Sequence, residues 1–237
     1  MTKRALLSPL AALSLLATPL ASLAQEVAAP LPTRDAYLIV TQVDARKCIY
    51  PVCGGYFVKA VNQALTRCAD GSLKKTCHAV ELDTRALGWT PEQQAAFEAP
   101  FAKGHALVRG VITPVPRGFY TGEVLAITEA WQGQGLRKPV GISYSVKSTG
   151  IVCITAPCPS LAATRLNSAA APINPDLDLS LSGASAAQIQ AGLEALSTTG
   201  ILATGAVVPV KYPALEGLPA RKGSKLLASE FYLPAKP

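Results

Sequence analysis

Two fifteen-residue stretches, CIYPVCGGYFVKAVN (Cys48–Asn62) and CITAPCPSLAATRLN (Cys153–Asn167), match without a gap at four positions. Both cysteines, the isoleucine after the first and the final asparagine coincide at an offset of 105 residues. Cysteine is scarce in this chain, with 6 in 237 residues, so its recurrence at one spacing constrains the fold more than composition does. The match continues downstream. Leu82-Asp83 and Leu177-Asp178 open the next block, and Gly88 lies over Gly183. Thr90-Pro91-Glu92-Gln93 lies over Ser185-Ala186-Ala187-Gln188, each a Ser/Thr-x-x-Gln capping box. GHALVRGVITPV (Gly104–Val115) resembles GILATGAVVPV (Gly200–Val210), and GEVLAITEAW (Gly122–Trp131) resembles GSKLLASEFY (Gly223–Tyr232). Blocks recurring in one order predict a duplication.

The duplication selects a cysteine pairing. Six cysteines allow fifteen connectivities. The second copy holds only Cys153 and Cys158, which must pair with each other if that copy folds as a unit. By analogy Cys48 pairs with Cys53, leaving Cys68 for Cys77. A zinc site needs closer cysteine pairs or added histidines, and the chain has only His78 and His105, so no metal and no cofactor is expected. A redox Cys-x-x-Cys motif has two intervening residues, whereas Cys48 and Cys53 have four.

Disulfides require an oxidising compartment. The first residues supply a route: Lys3 and Arg4 precede an apolar run from Ala5 to Leu20, and Ser22-Leu23-Ala24 places small residues at a cleavage site. Residues 1–24 are read as a signal peptide, Gln25 as the mature N-terminus, and the location as periplasm or extracellular medium. No later run approaches the ~20 apolar residues of a membrane span. The net charge of +7 falls to +5 without Lys3 and Arg4, a mild excess spread over the surface.

Each copy reads as β-β-β-α-β-β. In the first, Ala36–Ala45 and Gly55–Asn62 are apolar or alternating strands, with Tyr56, Val58 and Ala60 on one face of the second. CADGSLKKTC is a polar loop, and His78–Asp83 is a third strand. A helix follows Thr90 from Pro91 to about Phe101, with Ala95, Ala96, Phe97 and Phe101 at near-helical spacing and Gly104 beyond its end. The second helix carries Ile189, Leu193 and Leu196. The class is α+β, mostly β. The element order fits two OB-like barrels, or an open antiparallel sheet with one packed helix per copy. The expected organisation is an N-terminal extension (25–34), unit 1 (35–131), a linker (132–140), unit 2 (141–233) and a tail (234–237).

The Cys-x4-Cys-Gly-Gly-Tyr-Phe-Val stretch, CADGS, the run Cys77–Asp83 and the closing Glu129-Ala130-Trp131 resemble a family of exported bacterial proteins known as a domain of unknown function. That resemblance implies secretion and the cysteine framework. It carries no activity.

No catalytic set emerges. The mature chain has no Gly-x-Ser-x-Gly elbow. Ser72-Leu73-Lys74-Lys75 matches Ser-x-x-Lys only formally, in a polar loop. His78 and His105 have no counterparts in the second copy, where Ile173 and Ile201 stand nearby, so both read as strand residues. Asp83 and Asp178 recur where an Asx-turn leads into a helix. Asn62 and Asn167 read as turn residues that end the second strand of each copy, and neither begins a glycosylation sequon. Lys59, Arg67, Lys74 and Lys75 beside aromatics are better read as a solvated face than as a nucleic-acid surface. The first copy keeps aromatics that the second lacks, and Tyr50, Phe119 and Tyr120 are the expected binding surface. The sequence therefore favours a non-catalytic binding or structural module whose partner is a protein, a glycan or another envelope component. A secreted hydrolase with a site no motif exposes is the alternative.

Overall fold

A computed structural model describes residues 35–214 and 219–235. The expected signal peptide (1–24), the whole expected N-terminal extension (25–34) and the last two residues of the expected tail lie outside the described residues.

The strands are β1 (Ala36–Val43), β2 (Tyr56–Ala60), β3 (Thr66–Arg67), β4 (Leu73–Lys74), β5 (Cys77–Ala79), β6 (Glu81–Asp83), β7 (Ala106–Arg117), β8 (Tyr120–Gly133), β9 (Ile142–Ser148), β10 (Leu161–Arg165), β11 (Asp176–Asp178), β12 (Ile201–Tyr212) and β13 (Arg221–Pro234). Helix α1 (Pro91–Ala102) lies between β6 and β7, and α2 (Ala186–Ala195) between β11 and β12. The described residues are mostly β with two α-helices, as expected.

Pairing, not element order, decides the architecture. The main sheet runs β10-β9-β12-β13-β8-β7-β1-β2-β5, with β11 added parallel to β13 and β6 parallel to β8. It is not closed into a barrel, which corrects the expectation of two OB-like barrels to its alternative, the open antiparallel sheet. Because β8 and β13 pair edge to edge at Trp131–Gly133 and Tyr232–Pro234, the strands of both halves belong to one continuous sheet.

Both long hairpins, β7–β8 and β12–β13, slip register at a glycine, Gly110 and Gly205. A Cβ at either would stand 2.1 Å from a carbonyl oxygen across the ladder, Ala126 O or Leu227 O. Only glycine admits so close an approach, and each slip is a β-bulge, which locally bends and twists its hairpin.

Local signals behave as read for both helices. Thr90 Oγ1 accepts from Gln93 N at 3.4 Å while Gln93 Oε1 accepts from Thr90 N at 2.7 Å. Ser185 and Gln188 repeat the exchange at 3.3 and 2.8 Å. Asp83 and Asp178 each accept the backbone N–H two residues on, forming Asx-turns into short 3₁₀ segments. The run His78–Asp83 is broken: Val80 N donates to Glu123 O and separates β5 from β6. The polar loop between Cys68 and Cys77 is stiffened by the β3–β4 ladder. On α1 the buried residues are Phe97 and Phe101, while Ala95 and Ala96 face solvent. On α2, Leu193 is exposed and Gly192 is buried against Phe231.

Three apolar clusters hold the fold. The first joins α1 to β1, β2, β7 and β8 through Leu38, Val58, Phe101, Val108 and Leu125. The second joins α2 to β9, β12 and β13 through Val146, Leu179, Ile201, Leu226 and Phe231. The third lies between the halves: Val61 and Leu107 pack against Leu166, Leu202 and Tyr232. Among the described residues no helix is long and apolar enough to cross a membrane.

Candidate functional site: the stapled loop and hairpin tip of the first half

The bridges are Cys48–Cys53, Cys68–Cys77 and Cys153–Cys158, with Cα–Cα distances of 5.5, 5.3 and 5.7 Å. Cys68 and Cys77 are buried in the first core. The other two bridges staple loops, each containing a cis X–Pro bond, at Pro51 and Pro157.

In the first half the stapled loop leaves β1 at Asp44. Its carboxylate is almost wholly buried and takes a bidentate grip from Arg46, with Nε at 2.8 Å and Nη2 at 2.7 Å. The Arg46 backbone N–H adds a third bond at 3.1 Å. These bonds, with Arg46 foremost, hold the Asp44 carboxyl far below the usual carboxylate range against the opposing pull of burial. His78 on β5 reaches the same carboxylate: its Nε2 lies 3.0 Å from Asp44 Oδ2 and 2.7 Å from Gly54 O. Two acceptors face this nitrogen, so it carries the proton. The His78 ring sits 5.0 Å from Phe57, over which Arg46 stacks at 5.7 Å.

Glu81 on β6 ties one expected binding residue, Tyr50, to Arg117 at the base of the hairpin turn. Its Oε2 accepts from Tyr50 Oη at 3.1 Å and from Arg117 Nη2 at 2.6 Å. Arg117 precedes a two-residue turn, Gly118-Phe119, whose first residue has φ of +63° as a tight hairpin turn requires. Tyr120 opens β8. Pro51 packs near Gly122, where a Cβ would lie 3.3 Å away. Tyr50 and the Phe119–Tyr120 tip are thus brought together by one carboxylate and one loop. Tyr50 and Tyr120 are about half exposed, and Phe119 is fully exposed at 104%.

Beside this tip opens a cleft of about 440 Å³, with walls that include Arg46, Phe57, Lys74, His78, Tyr120 and Glu123. Burial raises the Glu123 carboxyl above its ordinary range, and the charge of Asp70 adds to the effect. The cleft offers cations, a carboxyl and aromatic faces. It offers no free histidine Nε2, and no group of three or more His, Cys, Asp or Glu residues that could hold a metal occurs among the described residues.

His105 stands at the start of β7, remote from this cleft in the fold, with its backbone carbonyl accepting from Gly133 N at 2.8 Å. Sequence reasoning missed Asp44, Arg46, Glu81, Arg117 and Glu123. A signal for the first pair was present. Asp-x-Arg occurs at 44–46 and again at 83–85, and in both the carboxylate takes the backbone N–H and the guanidinium of the residue two on. Nothing local announces Glu81 or Arg117, because β6 and the hairpin turn are 36 residues apart.

No curated protein and no solved structure matches the chain. A family model does match, over residues 37–237, and it spans both halves and every disulfide. By that match the chain belongs to the family described as Domain of unknown function (DUF6748).

Proposed function

We propose that this protein is an exported, disulfide-stapled binding module without catalytic activity, built from two copies of one unit. Its partner is a protein, a glycan or another component of the envelope or medium. The binding surface is the tip of the first half. The observation that carries this reading is the convergence of exposed Tyr50, Phe119 and Tyr120 around the Glu81–Arg117 ion pair. Aromatics supply large, rigid contact area, and a staple lowers the ordering cost of presenting them.

Export is supported by the charged and apolar start of the chain and by three bridges that need an oxidising compartment. The duplication is supported by matching pairings. β2-β1-β7-β8 in the first half has the same order as β10-β9-β12-β13 in the second, and β6 lies along β8 as β11 lies along β13. Unit 1 then covers 35–131 and unit 2 covers 141–233, with 132–140 between them. The non-catalytic reading is supported by His78, whose Nε2 is engaged by Asp44 and Gly54 O and is not available as a base.

Pull-down from envelope extract tests the proposal. Replacing Tyr50, Phe119 and Tyr120 together by Ala should abolish partner capture and leave the melting temperature nearly unchanged. Capture that survives these changes overturns the assignment of the surface. Hydrolytic turnover lost on mutating His78 or His105 would replace the binding reading with the enzyme reading.

A further inference from the structure

The second half ends in a tip of different chemistry. Its stapled loop exposes three aliphatic side chains: Ile151 at 49%, Val152 at 93% and Ile154 at 103%. The loop is held at its base, where Thr149 N donates to Ser160 O at 2.9 Å and Thr149 Oγ1 to Pro159 O at 2.6 Å. It is also held on the β12–β13 hairpin, where Arg221 Nη1 donates to Thr155 Oγ1 at 3.2 Å and Pro157 lies against Gly223. These side chains stay in water although the loop that carries them is ordered, an arrangement that costs hydration free energy with no return inside the fold.

The hairpin beneath the loop is basic. Lys211 and Lys222 are direct cross-strand partners, and Tyr212 pairs with Arg221. Like charges directly opposite destabilise a ladder. Among the described residues no carboxylate lies within ion-pair distance of Lys211, Arg221 or Lys222. Asp176, on β11, accepts from the Tyr212 hydroxyl. The loop packs on the hairpin face of Arg221 and Gly223, and strand alternation turns Lys211 and Lys222 to the opposite face, so this end of the hairpin carries cations on both faces. An apolar loop at such an end matches an anionic lipid surface met end-on, in which aliphatic side chains enter the acyl boundary and ammonium and guanidinium groups meet the headgroups.

We propose that the second stapled loop is a membrane-surface docking site for anionic phospholipid, with Val152 and Ile154 as the inserting side chains and Lys211, Arg221 and Lys222 as the headgroup contacts. The assignment uses residues separate from the first-half tip, and it takes from the export reading only the setting in which the chain meets a bilayer.

The test is co-sedimentation of the mature protein with large unilamellar vesicles of phosphatidylglycerol and phosphatidylethanolamine, against vesicles of phosphatidylcholine alone. Binding to the anionic vesicles, weakened severalfold by raising salt, is expected. Val152→Ser/Ile154→Ser and, separately, Lys211→Gln/Lys222→Gln should each lower partitioning by roughly tenfold or more. All four side chains extend from exposed positions, so circular dichroism should match wild type. The Tyr50, Phe119 and Tyr120 triple variant should bind vesicles as wild type does, which separates failure of this proposal from failure of the first-half reading. Equal binding to both lipid compositions, unaltered binding by either double variant, or loss of binding in the triple variant would overturn the proposal. So would an absence of vesicle binding accompanied by concentration-dependent dimerisation that Val152→Ser/Ile154→Ser abolishes, since the loop would then cover a second copy.

Discussion

Asn62 and Asn167 each clamp the backbone of the opposite half. Asn62 Nδ2 donates to Ser143 O at 2.7 Å and Leu166 O at 2.9 Å, and its Oδ1 accepts from Ser143 N at 2.9 Å. Asn167 Nδ2 donates to Tyr37 O at 2.8 Å and Val61 O at 2.9 Å, and its Oδ1 accepts from Tyr37 N at 2.8 Å. Both asparagines have positive φ, +59° and +53°, a conformation in which Asn is tolerated better than most residues. Each therefore turns its own chain and satisfies three backbone groups of its counterpart, directly beside the Val61–Leu166 seam.

Replacing either asparagine should be costly. Asn62→Ala removes three hydrogen bonds to partly buried backbone and places a Cβ residue without side-chain compensation at positive φ, so a loss of about 2–4 kcal/mol is expected. Asn62→Gly relieves the backbone strain and should cost less than Ala. Asn62→Asp should cost more than Ala, since a carboxylate would face two carbonyl oxygens. Urea unfolding of the four proteins gives the order, and Asp milder than Ala would contradict the clamp.

The bridges should differ in value. Cys68 and Cys77 are each 1% exposed inside the first core, whereas Cys153 lies in the exposed loop. Closing so short a loop contributes ~2–3 kcal/mol in either case. Replacing Cys68 and Cys77 by Ala should also lose core packing, for a total of roughly 3–5 kcal/mol. Replacing Cys153 and Cys158 should stay near the loop value. Denaturant midpoints of the two double variants decide it.

Gly192 marks a contact that helix propensity opposes. A Cβ there would lie 2.7 Å from the Phe231 ring and 3.1 Å from Leu179. In an exposed helix Gly→Ala stabilises by up to ~1 kcal/mol. Gly192→Ala should instead destabilise, by about 1–3 kcal/mol from overpacking. A raised melting temperature would show that α2 can back away from β13 at little cost.

Glu230 should tilt stability against rising pH. It is fully buried beside the stretch that joins the halves, and its Oε1 accepts from Gln134, Gly135 and Phe231 N–H groups at 3.2, 2.7 and 2.9 Å. Its Oε2 has no partner among the described residues. Burial raises this carboxyl above its ordinary range, offset in part by those N–H groups and by His105. Because the folded pKa exceeds the unfolded one, the folded state holds the extra proton in that window, and stability falls as pH rises through it. Asp44 has the opposite sign: its lowered pKa supports the fold above the ordinary carboxylate range, and that support is lost on acidification. Glu230→Gln should flatten the decline between mildly acidic and neutral pH and leave the acid limb intact. An unchanged slope would remove Glu230 as its cause.

What the sequence determined by itself is local. The capping boxes at Thr90 and Ser185, the Asx-turns at Asp83 and Asp178, the alternation that buries Val58 and Ala60, and the short cysteine intervals all act over a few residues, where spacing decides which groups can meet. Gly133 and Gly135 show where that reach ends. They fall in the expected linker, 132–140, yet Gly133 closes β8 and Gly135 donates to Glu230, 95 residues away. Only the tertiary structure decided that β8 would meet β13, that the sheet would stay open, that Asn62 and Asn167 would exchange backbones, and that Glu81 would join Tyr50 to Arg117. The reason is physical: alternation tells which face of a strand is apolar, but every strand edge presents the same N–H and C=O groups. Which edges join is settled by the packing of whole faces, here Val61, Leu107, Leu166, Leu202 and Tyr232, and no short stretch of the chain contains that information.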